Sequence, residues 1–364
     1  MKNIIKALVI FASVVAFSSA NAGVLEVTGT AKATYNIAGS DSGSAANEGG
    51  KAIGITNELA FTGTGELDNG YTWKYQVELD DTAAGTFSAT DDTRLELTTP
   101  YGVIAAYNTE GSLNTKYKFS AAAYGAGSDN GAGGSMEYGQ SIDSFNNIQY
   151  HTPADLLPFS IMAKVAYAPS ADNGKRSGNS GGAVNGVNGS DVAQYQITAS
   201  PVDGLDVGAS YLEKSGETVG TIQGYEQGGI FAKYAIGQFT VGYGRHGVAN
   251  NLNDFTSQTT ATALNTAALK ATVKGFENEA VSVGFKVNDA LSVSYEIEES
   301  EAQKRTKAGT GDAKASVELE VTTLQAAYTM GGMTLSVSMK DIENQDYVLA
   351  KDMKETLVAV AMAF

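Results

Sequence analysis

From Leu25 onward the odd positions read Leu25, Val27, Gly29, Ala31, Ala33, Tyr35 and Ile37, and the even positions read Glu26, Thr28, Thr30, Lys32, Thr34 and Asn36. Successive side chains of a strand point to opposite faces, so this alternation puts one face against apolar surroundings and the other against water. The stretch exceeds a dozen residues, whereas strands in soluble domains usually stop at about five or six. The same period returns at Tyr71, Trp73, Tyr75, Val77 and Leu79, at Ile161, Ala163, Val165 and Tyr167, and at Val281, Val283, Phe285 and Val287. It returns again at Leu291, Val293, Tyr295 and Ile297 and at Met333, Leu335, Val337 and Met339, and it closes the chain at Val358, Val360, Met362 and Phe364. The pattern predicts sixteen strands near 24–37, 53–62, 71–79, 93–99, 102–108, 146–152, 159–168, 191–199, 205–213, 228–236, 239–246, 278–287, 291–299, 317–329, 333–341 and 355–364. One of them breaks phase: Val317, Leu319 and Val321 are followed by Leu324, Ala326 and Tyr328, which calls for a β-bulge to repair the phase or for a strand placed elsewhere.

The connections sort by parity. Every second one is short: around Asn69-Gly70, at Pro100-Tyr101, from Pro153 to Pro158, from Pro201 to Gly204, at Gly237, from Asn288 to Ala290 and at Gly331-Gly332. The intervening ones are mostly long, at 38–52, 109–145, 169–190, 247–277 and 300–316. A soluble sandwich has no reason to gather its long loops at one end, whereas an outer-membrane barrel has short turns on one side and long loops on the other. About 9–11 tilted residues per strand suffice to cross the bilayer, and closing the sheet satisfies edge groups that lipid leaves unpaired. All five prolines (Pro100, Pro153, Pro158, Pro169 and Pro201) are expected between strands, where no ladder bond is lost. After the first two dozen residues the longest apolar run is Leu357 to Phe364, so no transmembrane helix is predicted.

The first 22 residues read as a secretory leader: Lys2 and Lys6 begin it, Ala7 to Phe17 is apolar, and Ala20-Asn21-Ala22 is a small-x-small cleavage site. The expected organisation is a signal peptide at 1–22 and one barrel domain at 23–364. Charged residues make up 18% of the chain, below the roughly 25% of soluble domains, and glycine occurs 42 times. The formal charge of −16 argues against nucleic acid as a partner, since phosphate binding needs basic stripes. There is no cysteine, so thiolate metal sites and disulfides are excluded. Only His151 and His246 could serve histidine chemistry. Gly125 to Ser135 lacks the Lys-Ser/Thr ending of a phosphate loop. Asp80-Asp81 and Asp91-Asp92 lack the fixed spacing of a calcium loop, and 259–273 is rich in Ala and Thr and could form a short helix.

Phe61-Thr62-Gly63-Thr64-Gly65-Glu66-Leu67-Asp68-Asn69-Gly70 resembles the strand–turn segment of the Gram-negative general porins, in which Phe-x-Gly leads through an acidic stretch to Asn-Gly. Asn147-Ile148-Gln149-Tyr150-His151-Thr152-Pro153 is similar to the segment that follows the third loop in that family, and Thr93-Arg94 through Tyr101-Gly102-Val103 to the arginine strand and turn before it. The terminal Phe364 is similar to the aromatic ending through which such barrels are recognised for insertion. The third loop departs from the pattern, having no Pro-Glu-Phe-Gly-Gly. The resemblance implies a sixteen-stranded all-β transmembrane barrel, trimeric, with a long third loop folded into the lumen. It implies residence in the outer membrane, with lipid and lipopolysaccharide around the barrel, the barrel-assembly machinery as partner of the C-terminal strand, and small hydrophilic solutes as cargo.

By parity the inner wall carries Glu26, Lys32, Glu58, Lys74, Glu78, Arg94, Glu96, Lys164, Lys233, Lys286, Glu296, Glu298 and Lys340. Family members build a basic cluster from early strands against an acidic third loop. Here that resemblance implies Lys32, Lys74 and Arg94 as the basic side of a constriction, with Glu58, Glu78 and Glu96 on the same wall. The third loop, 109–145, contributes Glu110, Asp129, Glu137 and Asp143. The expected activity is passive diffusion of ions and small polar solutes with a weak cation preference, no cofactor and no catalytic cycle. Two other classes remain at this point: a hydrolase built on a barrel, and a secreted β-rich adhesin or binding protein. The first needs nucleophile, base and orienting partner within hydrogen-bond reach, and the topology expected here puts His151 and His246 at opposite ends.

Overall fold

The computed structural model describes residues 23–40, 50–81, 87–88, 92–131, 136–153, 156–170, 191–215, 221–249, 252–253, 273–304 and 317–364. The leader read at 1–22 and the helix considered at 259–273, apart from Val273, lie outside the described residues. Sixteen antiparallel strands follow one another around a closed wall. They are β1 (Val24–Ser40), β2 (Gly50–Glu66), β3 (Thr72–Asp81), β4 (Thr93–Thr99), β5 (Gly102–Asn108), β6 (Asn147–His151), β7 (Met162–Ala168) and β8 (Val192–Val202). The second half is β9 (Leu205–Lys214), β10 (Tyr225–Ile236), β11 (Phe239–Ala249), β12 (Val273–Lys286), β13 (Leu291–Lys304), β14 (Val317–Met330), β15 (Met333–Glu343) and β16 (Met353–Ala363). β16 pairs back onto β1 from Thr30↔Ala363 to Ser40↔Met353, which abolishes the open edge. A two-residue piece, Phe87–Ser88, pairs antiparallel with the end of β3 at Asp80 and Asp81, and Thr221–Gln223 pairs with Leu252–Asn253 apart from the wall.

The outer face is apolar, as the alternation requires: Leu25, Val27, Ile55, Leu95, Ile230 and Val241 are all exposed on it. Among the described residues no helix is long and apolar enough to cross a membrane, so strands do the crossing. Several strands outrun their expected bounds at the long-loop end, β2 by starting at Gly50, β12 at Val273 and β13 by reaching Lys304. The reason is a reversal of polarity. On β14 the inward, buried positions run Val317, Leu319, Val321, Thr323, Gln325 and Ala327 in unbroken register with both neighbours. The expected bulge is absent. What changes at mid-strand is the surroundings: Glu318 and Glu320 face outward beside Glu299 and Glu301 of β13, while the inner positions pack into an apolar core. That core joins Val248, Phe276, Leu319, Ile342, Tyr347 and Met353 inside the long-loop mouth. The wall has left the hydrocarbon slab there, so outside becomes wet and inside becomes dry.

Two further expectations are corrected. Pro201 lies within β8, not between strands, and its missing N–H is tolerated because the β8–β9 register slips beside it, between Leu205 and Val207. The seventh strand starts at Met162 because Pro158–Ser160 forms a 3-10 turn first, with Phe159 and Ser160 at positive φ.

Candidate pore and its constriction

The segment from Thr109 to Asn146 leaves β5 and lies inside the barrel, bonded to the inner wall for most of its described length. Its outward arm follows β9 to β14 in order. Thr115 meets Ser210, with Oγ1 to Oγ at 2.9 Å. The Ala121 N–H donates to Ser282 (2.9 Å), Ala123 to Ser294 (2.8 Å) and Tyr124 to Gln325 (2.8 Å). The wall admits backbone this closely because glycine occupies the contact points. A Cβ at Gly242 would overlap the Phe119 carbonyl, and one at Gly284 would stand 2.5 Å from the Ala121 carbonyl oxygen.

The tip of this inner loop, the 3-10 turn Gly127–Asp129, is held by charged groups with almost no exposed surface. Glu296 accepts from the Gly127 N–H (2.9 Å) and from the Ser120 hydroxyl (2.6 Å). Glu298 accepts from the Ser128 N–H (2.7 Å), the Ser128 hydroxyl (2.6 Å) and the Tyr138 hydroxyl (3.0 Å). Lys340 donates to the carbonyls of Gly127 (3.1 Å) and Asn130 and pairs with Glu355 at 2.7 Å, both side chains having 0% exposure. Asn36 of β1 donates to the other Glu355 oxygen. Parity places Glu296, Glu298 and Lys340 inward, as the sequence predicts, but they are covered by the loop and do not line open water.

Arg94 on β4 is the centre of the remaining cluster. Its guanidinium lies 3.0 Å from Glu110 at the root of the inner loop and 3.7 Å from Glu78 on β3, and it also donates to Gln76. Glu96, one inward position along, accepts from the Tyr107 hydroxyl (3.0 Å). Lys74 is paired across the sheet with Glu96, and Lys74 and Glu58 both act electrostatically on Glu110. Burial pushes the Glu110 carboxyl above its ordinary value near 4.5, and Arg94 opposes that rise. Asp143, in the turn Ile142–Ser144, shares with Arg94, Glu110, Gln149, His151 and Lys164 a polar cavity of about 400 Å³. Lys32 on β1 reaches the inner loop elsewhere, its ammonium 5.8 Å from the centre of the Tyr124 ring. Asp129 is exposed at the loop tip beside Tyr117, and Glu137 lies on the return arm near Tyr225 and Tyr347. The structure thus gathers Glu78, Arg94, Glu96, Glu110 and Asp143 with Lys74 and Glu58, and sets Lys32, Asp129 and Glu137 at other points of the loop.

Sequence reasoning passed over Lys116 and Lys118, which give the loop basic as well as acidic character, Lys116 standing over the rings of Tyr117 (4.6 Å) and Tyr138 (5.8 Å). It also passed over Gln76 and Tyr107, which hold Arg94 and Glu96. The two histidines stand on β6 and β11, five strands apart. The His151 ring meets Gln149 at 2.8 Å, and His246 is buried edge-on against Tyr138, with ring centres 5.5 Å apart. Phe364 exchanges both backbone hydrogen bonds with Gly29 (2.8 and 2.9 Å) and is 71% exposed on the outer face.

A closed sixteen-stranded wall is wide enough to hold a watery lumen, and the loop laid inside it brings Glu110 against Arg94 of the wall. Fold and site together define a transmembrane β-barrel of the porin type. The family model of the Gram-negative porins matches residues 7–276, and the chain belongs to that family. The family and the barrel place it in the outer membrane. A sequence search of curated proteins returns no match. Among solved structures it is similar to the anion-selective porin from Comamonas acidovorans (TM-score 0.66, 12% identity, 94% of this chain and 100% of that one). It is also similar to Salmonella typhi OmpF in complex with daunomycin (0.63, 16%, 94% and 98%) and to the trimer form of OmpT from Vibrio cholerae (0.57, 13%, 94% and 100%). At these identities the likeness is one of fold.

Proposed function

We propose that the protein is a passive channel for ions and small hydrophilic solutes, weakly selective for cations. The observation that carries this reading is Arg94 held between Glu78 and Glu110 beside an open polar cavity inside a closed barrel. Charges fixed across a narrow aqueous gap make a transverse field, which favours dipolar solutes over apolar ones. Around Arg94 the acids Glu58, Glu78, Glu96, Glu110 and Asp143 outnumber Lys74 and Arg94, while Lys118 and Lys164 temper the excess. Acids on distant outer loops matter less, because the Debye length is about 8 Å at 0.15 M salt. In this reading the chain is exported by residues 1–22, inserted through its C-terminal strand by the assembly machinery, surrounded by lipid and lipopolysaccharide, and assembled as a homotrimer. Solutes move down their gradients without a cofactor or a catalytic step; among the described residues His151 is bonded to Gln149 and His246 packs on Tyr138, five strands away.

The test is the reversal potential of purified protein in a planar bilayer under a salt gradient. Wild type gives a modest cation preference that shrinks as salt rises. Arg94→Gln strengthens that preference and changes the conductance, and Glu217→Gln, on an outer connection outside the described residues, does far less. Clear anion preference, or indifference to the Arg94 change, refutes the assignment of the constriction.

A further inference from the structure

The last outer connection, from Asn344 to Asp352, is an unusual place to find backbone strain. Four of its residues that are not glycine adopt positive φ: Asn344 (51°), Asp346 (56°), Tyr347 (57°) and Ala350 (59°). Such conformations persist only where the surroundings over-determine them. Here the Asn344 side chain donates to the Glu318 carbonyl (2.8 Å) and accepts from the Ala350 N–H (2.9 Å). The Asn344 N–H reaches Asp352 (3.0 Å), and Lys351 pairs with Asp346 at 2.7 Å. The product of this bracing is one side chain delivered downward. Tyr347 is buried in the apolar mouth, its ring 5.2 Å from that of Phe276.

Its hydroxyl closes a ring of hydrogen bonds around the backbone of a single residue of the inner loop, Glu137. The Glu137 N–H donates to the Tyr347 oxygen (2.9 Å), and the Tyr347 hydroxyl donates to Ser300 Oγ (2.6 Å). Ser300 in turn donates to Asn278 Oδ1 (2.5 Å), and the Asn278 amide donates to the Glu137 carbonyl (3.0 Å). Each hydroxyl and amide both gives and accepts, so every member of the ring polarises the next. Both backbone hydrogen-bonding groups of Glu137 are satisfied by it, one from an outer loop and one from the wall.

We infer that Tyr347 is a positioning residue for the pore: the outer connection 344–352 is a strap that fixes the return arm of the inner loop and so sets how steadily the channel stays open. The inference rests on the channel reading above. With the ring intact, the Glu137 backbone is pinned to β12, β13 and the strap. With it broken, the return arm keeps the bonds further along, from Tyr138 to Glu298 and from Gln140 to Tyr225 and Gln227, and its Met136–Glu137 end moves into the lumen and interrupts current.

Single-channel recording of Tyr347→Phe and of Ser300→Ala tests this. Each variant deletes one hydroxyl and keeps the packing. Both are expected to retain the wild-type open-state conductance and heat-modifiable gel migration, while the fraction of time spent in closed substates rises by about tenfold, the scale of one lost buried hydrogen bond. The double variant should close no more often than about the worse single one, because the ring is a unit. Wild-type closing frequency in both single variants overturns the inference, as do independent, additive effects in the double. A wild-type protein that forms no channel would overturn the functional reading instead. If Tyr347→Phe loses heat-modifiable migration, Ser300→Ala alone decides.

Discussion

Replacing Lys340 by methionine removes an ammonium that ties the tip of the inner loop to the wall. In the native protein it faces Glu355 at 2.7 Å with no exposed surface and caps the carbonyls of Gly127 and Asn130. Taking away one partner of a buried pair leaves an uncompensated charge, at a cost of about 3–5 kcal/mol. The cheapest relief is to let water in beneath the tip, which means undocking residues 126–131. That cost shifts the docked-to-undocked equilibrium by roughly two to three and a half orders of magnitude. The readout is hydrogen exchange of the Gly127 and Ser128 amides, which in wild type donate to Glu296 and Glu298 (2.9 and 2.7 Å). Lys340→Met should accelerate their exchange by about the same factor, while amides of β12 and β13 near the short turns keep their protection. Removing both charges, in Lys340→Met/Glu355→Met, should recover much of the lost protection. Unchanged exchange at Gly127 and Ser128 in the single variant, or a double variant no better than the single, would refute the clamp.

Gly242→Val should narrow the pore without opening the barrel, since any side chain there collides with the Phe119 carbonyl and pushes the loop off the wall; single-channel conductance should fall while heat-modifiable migration persists. Deleting Phe364 removes the residue that exchanges two backbone bonds with Gly29 and should sharply lower the amount of protein recovered in the outer membrane, with transcript and export intact; normal membrane levels would remove its role in insertion. Acidification should weaken cation preference earlier than ordinary carboxylates predict. Glu110 is held above its usual value near 4.5, so on lowering pH it loses its charge first and leaves Arg94 less compensated. A reversal potential that stays constant until well below that value would contradict the placement of Glu110.

The wall was legible because one physical rule, alternation between lipid and water, acts on every strand. It failed where the medium changes. The phase break in β14 reads as a bulge only if the outer face stays apolar, whereas Glu318 and Glu320 face water above the hydrocarbon. Parity places Glu296, Glu298 and Lys340 inward, but inward does not distinguish open lumen from the underside of a loop whose path depends on contacts far along the chain. One local signal did exist. Gly242, Gly244 and Gly284 recur at inward positions, and glycine on a strand face marks close approach of another backbone. Tyr347 had no such mark, because its place depends on left-handed residues at Asn344, Asp346 and Ala350 that sequence patterning does not reveal.

The measurement that bears most directly on the central claim is the current through purified, detergent-extracted protein added to a planar lipid bilayer. The account predicts stepwise, long-lived conductance increments, ohmic at low voltage and proportional to bulk salt concentration, as water-filled pores give. Protein that keeps its heat-modifiable barrel yet adds no such steps, or whose current ignores bulk salt, would contradict it.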